Sequence, residues 1–293
     1  MLDGDVRAAA PAQKDQGFWR RIAADPRWWV GLCLAGVPVL IAVFGPLAAP
    51  HGPLAYVDVP FSPPSPGVSF GTDNLGRDVF SRFLSGGQSL LVLSTLATIL
   101  GVVLGGLLGA GLAVVRGPAD EAAMRAADVA LAFPAIVLAL MFLSLIGPQP
   151  WLIVLVVALG HLPRTLRVIR GAAMSVVERD FIKYGETLGF SRLRTVVTEV
   201  LPNVVAPLMV EFGIRFTYSV GLVASLSFLG LGVLPPNPDW GNMINETRAG
   251  ITIQPWGVVL PLVALALLAI GCNLLTDCIG RAVGLVEVRR KDG

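Results

Sequence analysis

Charge is scarce in this chain. Only 14% of its 293 residues are Asp, Glu, Lys or Arg, against 54% hydrophobic, and the mean hydropathy is +0.72. A soluble domain of this length covers itself with far more charge, so a purely aqueous fold is excluded. Histidine and cysteine are nearly as scarce, at two and three residues. His51 and His161 stand apart from each other and from any carboxylate cluster, and read as a loop residue and a helix-end residue. Cys33, Cys272 and Cys278 fall in apolar runs without CxxC or His-rich spacing, which favours packing over metal or redox chemistry. No GxxxxGK[ST] occurs, so the chain has no P-loop with which to cradle nucleotide phosphates. A formal charge of +2 argues against a nucleic-acid partner.

What the chain has in plenty is long apolar runs. Six are long enough to cross a hydrocarbon core of about 30 Å: 29–49, 88–115, 129–147, 150–169, 204–230 and 256–279. The expected fold is therefore an all-α integral membrane protein with six transmembrane helices. An even number of spans puts both termini on one side. Eighteen of the 22 basic residues lie in the two tails, in 116–128 and in 164–203; Arg77, Arg82 and Arg248 lie in the opposite loops. The positive-inside rule then makes both termini cytoplasmic. The first 27 residues are polar and the first apolar run is full length, so no cleavable signal peptide is expected. Phe18, Trp19, Trp28 and Trp29 alternate with Arg20, Arg21 and Arg27, which suits a short interfacial helix before Pro26.

The expected organisation is a tail and interfacial helix over 1–28, a first span and external loop over 29–87, a membrane core over 88–280, and a second tail over 281–293. The external loop opens proline-rich and then reads GTDNLGRDVFSRFLSGG. There Thr72 or Asp73 is expected to cap a short helix with Leu75, Val79, Phe80 and Phe83 on its apolar face. Gly101, Gly105 and Gly109 recur every four residues, which lets another helix approach closely. Pro134 and Pro207 read as tolerated kinks. The last external loop, 231–255, with Trp240, reads as an ordered loop at the membrane surface, or as a docking surface for an external protein.

Polar residues inside apolar runs carry the functional interest. Glu211 and Arg215, four apart, can pair along one helix face, as a structural pair or as part of a passage. Ser94, Thr98, Tyr218 and Ser225, with Thr95, Ser219, Ser227, Asn273, Thr276 and Asp277, add enough polarity to line a water-filled passage. Buried acids are too few for a proton relay.

The remaining anomaly is the charge-rich stretch ERDFIKYGETLGFSRLRTVVTEVLPN over 178–203, within the cytoplasmic loop 170–203. It divides into a helical stretch over 180–188, a cap at Gly189, and a second stretch from Ser191 to Val200. Pro202 and Asn203 then begin the fifth span. Two short amphipathic helices are more than two spans need for a link, so the stretch is a handle for something cytoplasmic.

This stretch resembles the EAA loop of permease subunits of ATP-binding-cassette importers. Gly189, Leu201 and Pro202 stand at the matching places, and Asp180, Phe181 and Asn203 match the peptide/nickel branch. GTDNLGRDVFSR resembles the signature of that branch's DppC/OppC-like permease. Lys183, Tyr184 and Gly185 replace the Glu-Ala-Ala positions. The resemblance implies the type I importer permease fold, with Asp180, Phe181, Tyr184, Leu188, Gly189, Leu201 and Pro202 coupling to an ATPase. It implies as partners a second, DppB/OppB-like permease, two ATPase subunits that bind ATP and magnesium, and an extracytoplasmic solute-binding protein. No cofactor is expected in this chain, which would be a non-catalytic subunit in a prokaryotic inner membrane. The implied cargo is a dipeptide or oligopeptide, with nickel chelates, opines and oligosaccharides as alternatives. A secondary transporter is the remaining alternative, though internal repeats and midplane acid pairs are missing.

Overall fold

The computed structural model describes residues 22–233 and 236–291, and among these the side chains of all but 186 and 285–291. Most of the expected interfacial helix, with Phe18, Trp19, Arg20 and Arg21, and the tail residues Arg7, Lys14, Arg289, Arg290 and Lys291 therefore lie outside the described backbone or side chains.

The first span is α1, Pro26–Ala48. Asp25 caps it by accepting from the Arg27 amide at 2.9 Å, and Pro26 sits at the first turn, where a missing N–H costs nothing. The short helix α2, Val79–Ser85, is capped by Asp78, whose carboxylate accepts from the Phe80 and Ser81 amides. The expected cap at Thr72 or Asp73 is thus corrected. Gly76, at φ +76°, turns the chain between those residues and the helix and leaves Leu75 exposed. Thr72 and Asp73 instead brace the loop: the Thr72 hydroxyl donates to the Val59 carbonyl at 2.7 Å, and Asp73 accepts from the Leu75 and Arg77 amides.

The long helix α3, Gly87–Val115, lies against α6, Pro150–Val177. The glycine repeat permits this contact. A Cβ at Gly101 would stand 2.9 Å from the Ala158 carbonyl, one at Gly105 2.9 Å from that of Leu162, and one at Gly109 2.6 Å from that of Leu166. Between them the chain forms α4, Pro118–Ala132, and α5, Ala135–Ile146, bent by 80°. Phe133 and Pro134 are both extended, because a residue before proline avoids helical geometry. Pro134 therefore breaks the third span where a kink was expected, and the twelve residues of α5 rise only about 18 Å. Among the described residues, five helices, counting α2 with α3 and α8 with α9 as single spans, are long and apolar enough to cross a membrane, and the bent pair makes a sixth if taken as one.

After α6 come α7, Asp180–Thr187, the single turn α8, Arg192–Arg194, a π-helical turn Thr195–Val200, and α9, Leu201–Phe228. The fifth span is thus continuous back to Arg192. The π turn meets the needs of Pro202, whose ring would press on the Thr198 carbonyl in a regular helix. Helices α10, Trp240–Thr247, and α11, Trp256–Lys291, complete the fold.

The two long loops, 49–78 and 229–255, meet at one end of the bundle. Trp240 is fully buried, stacks on Phe83 at 5.6 Å and donates from Nε1 to the Phe83 carbonyl at 2.9 Å. Beside it, Arg77 binds Asp73 at 2.7 Å and Glu246 at 2.9 Å, and Arg82 binds the same two acids, Glu246 at 2.6 Å. Two guanidinium groups and two carboxylates thus neutralise one another. His51 joins the edge of this platform, with its amide donating to Ser81 Oγ and Nδ1 lying 3.4 Å from Asp78, so it is not remote from acids as the sequence implied. Asp239 caps α10, and burial pushes its carboxyl up to about 6 against the pull of the amides it accepts from. At the opposite end Arg281 reaches Asp25, at 3.9 Å.

Candidate functional site

Two features stand out: a polar seam between helices, and the hairpin that projects from the end opposite the platform. The seam is built by α3, α6 and α9. Thr98 Oγ1 donates to the Ser94 carbonyl at 2.7 Å and lies 2.8 Å from Ser219 Oγ, which also lies 2.8 Å from His161 Nε2. One turn along α6, the Thr165 hydroxyl donates to Glu211 at 3.2 Å. Arg215 binds the same carboxylate through Nε at 2.9 Å and a second nitrogen at 3.2 Å. The expected pairing of Glu211 with Arg215 is therefore formed, in a buried and bidentate geometry.

Around the seam lies an open cleft of about 590 Å³ between α5, α6, α9 and α11, lined among others by Ala135, His161, Arg164, Tyr218, Ser225 and Asn273. Of the residues expected to line a passage, Tyr218, Ser225 and Asn273 face this cleft. Ser94, Thr98, Glu211 and Arg215 are buried beside it. Thr276 packs against Gly213, and Asp277 is exposed.

Sequence reasoning missed His161 and Arg164. His161 is not at a helix end but near the middle of α6, 3% exposed, and Nδ1 has no partner among the described residues. Arg164, counted from sequence with the cytoplasmic loop, lies inside the same helix, which continues to Val177. The available signal was HLPRT, a polar cluster inside an apolar run.

The hairpin matches its sequence pattern in more detail. Ile182, 2% exposed, anchors α7 in an apolar cluster with Val176, Val177, Val196, Val200 and Val204. Phe181, Tyr184 and Leu188, at spacings of three and four, stay exposed on another face. Asp180 and Lys183 pair at 3.3 Å in solvent. Gly189 has φ +77°, and Ser191 caps α8. Gly185 lies under the Phe190 ring, 3.0 Å from where its Cβ would be, and Arg194 covers the ring at 3.8 Å. Leu201 is half-buried and Pro202 exposed at the start of α9. The apolar cluster extends to Ala110 and Ala113 of α3 and Ile169 and Ala173 of α6. The hairpin thus grips the three helices that carry the polar seam.

Comparison with known proteins agrees in kind. Residues 71–284 match the family model described as "Binding-protein-dependent transport system inner membrane component". Proteins named "Glutathione transport system permease protein GsiD" from Escherichia coli O1:K1 / APEC, Escherichia coli O157:H7 and Shigella dysenteriae serotype 1 (strain Sd197) are each 34% identical over 262 residues. The match covers 89% of this chain and 86% of each relative.

Proposed function

The chain belongs to the family of binding-protein-dependent transport system inner membrane components, and from that premise we propose that it forms half of the passage for short peptides, glutathione among them. As a permease subunit of an ATP-binding-cassette importer of the peptide and glutathione branch, it is non-catalytic, and ATP is hydrolysed by partner subunits.

In this reading an extracytoplasmic binding protein delivers the solute to the platform end, and a second, related permease supplies the other half of the passage. Two ATPase subunits, with their ATP and magnesium, receive the exposed Phe181, Tyr184 and Leu188 face of α7. Both termini and the hairpin lie in the cytoplasm, and the membrane is the inner membrane of a prokaryote. Movement of the hairpin passes through Ile182 to α3, α6 and α9 together, which shifts the seam as a body.

The observation that carries the peptide reading is the cleft. Its volume of about 590 Å³ falls within the roughly 300–1,000 Å³ of small-molecule sites, and its lining mixes apolar surface with a few hydrogen-bonding groups. The test is uptake by the full complex, both permeases, ATPases and binding protein, in proteoliposomes. ATP-dependent accumulation of labelled glutathione or trialanine is expected. Accumulation of a nickel chelate or an oligosaccharide with neither peptide would overturn the substrate class.

A further inference from the structure

The cleft has a charge that the seam does not cancel. None of its lining residues is a carboxylate, and Glu211 and Arg215 beside it neutralise each other. Arg164 is left over. Its guanidinium donates one bond, to the Gly160 carbonyl at 3.3 Å, and pairs with no acid among the described residues. It sits midway along the 28 residues of α6, where that helix borders the cleft. His161, one turn earlier on the same helix, is buried with Nδ1 unpartnered, so the cleft wall holds polar capacity that nothing in the described chain uses. Tyr218 and Asn273 bring a hydroxyl and an amide from α9 and α11.

A planar, always charged fork of donors suits a carboxylate better than any neutral group. We propose that this cleft is a transient binding site for the carboxylate of the transported solute. Arg164 takes the carboxylate, and Tyr218 and Asn273 take the adjoining peptide group. The assignment rests on the reading of the chain as a peptide permease. One cation with neutral neighbours also meets a requirement of transport, since a passage must hold its cargo long enough to accept it and weakly enough to release it.

The experiment compares trialanine with trialaninamide, which lacks the carboxylate, in the complete complex in phosphatidylcholine vesicles. Uptake is taken per ATP hydrolysed and per loaded binding protein, with loading measured separately, so that the binding protein's own preference drops out. In the wild type, trialanine is expected to exceed the amide by about tenfold, the effect of one charge-assisted hydrogen-bonded pair. Arg164→Gln lowers trialanine to the level of the amide and leaves the amide nearly as it was, and Arg164→Lys keeps part of the preference.

An equal fall for both solutes would make Arg164 a structural residue and overturn the proposal, as would a preference that persists in Arg164→Gln. Adding phosphatidylglycerol to the vesicles is expected to leave the preference intact. Its loss there would assign the cleft to a lipid headgroup and overturn the solute site. A wild-type complex that takes up neither peptide overturns the peptide reading and this proposal with it, whereas normal trialanine uptake without discrimination removes this proposal alone.

Discussion

Single residues divide by whether their partners are near in sequence. Glu211 and Arg215 were legible because four residues on a helix place two side chains on one face. The rest of the seam was not, since Ser219 meets His161 58 residues away and Thr98 121 residues away. Asp78 was hidden by Thr72 and Asp73, which have the right chemistry for a cap but are parted from the helix by the turn at Gly76. The seam predicts an asymmetry in what the pair tolerates. Arg215→Ala strands a buried carboxylate with only the Thr165 hydroxyl, a loss of about 3–5 kcal/mol for a broken buried pair. Exchanging the two residues should recover only part of this, because the present contact of Arg215 with the Tyr218 ring, 5.9 Å away, would be lost. The double change Glu211→Gln with Arg215→Gln leaves no stranded charge and should melt above Arg215→Ala. Thermal melting of the purified complex reads this order, and an Arg215→Ala complex as stable as wild type would mean that the pair does not hold the helices.

Elements were legible where a local signal sets them. Six apolar runs, the glycine repeat of α3 and the two-part hairpin all follow from periodicity and punctuation. The breaks were less legible, because the same proline serves three outcomes. Pro26 begins a helix, Pro134 separates two helices by 80°, and Pro202 sits in a helix made continuous by a π turn. Which outcome holds depends on what packs around the freed carbonyl, and that is tertiary information. Gly189 is a simpler case. Its φ of +77° is open to glycine and strained for valine, and no atom lies within 4 Å of where a Cβ would be. The cost of Gly189→Val is therefore backbone strain alone, roughly 1–2 kcal/mol, and Gly189→Asn should cost less because asparagine tolerates left-handed geometry. If α7 couples to an ATPase, stimulation of ATP hydrolysis by loaded binding protein should fall in the order glycine, asparagine, valine while the complex still assembles. Full stimulation in Gly189→Val would remove the turn from the coupling path.

At the scale of the whole molecule, the contacts decide which parts share an end, and the charges decide which end faces inward. Trp240 on Phe83 and Glu246 between Arg77 and Arg82 put the two long loops together. Asp25 near Arg281 brings the start of α1 and the last part of α11 to the other end, where Val196 and Val200 of the hairpin pack on Ala110 and Ala113 near the close of α3. Two of the three basic residues at the platform end, Arg77 and Arg82, are buried in ion pairs, so almost no free positive charge remains there. Arg179, Lys183, Arg192 and Arg194 crowd the hairpin end instead. The positive-inside rule counts basic residues whether or not they are paired, and on that count the hairpin end is the one expected in the cytoplasm. Single-cysteine labelling tests this after Cys33, Cys272 and Cys278 are replaced. Tyr56 and Leu193 are suitable sites, 75% and 74% exposed and on opposite ends. A membrane-impermeant maleimide added to intact spheroplasts should label Tyr56→Cys at once and Leu193→Cys only after the membrane is permeabilised. Immediate labelling at 193 with protection at 56 would invert the molecule and put the hairpin out of reach of any cytoplasmic ATPase. Immediate labelling at both would mean that the two ends are not on opposite sides of the membrane, against the membrane-length helices that lie between them.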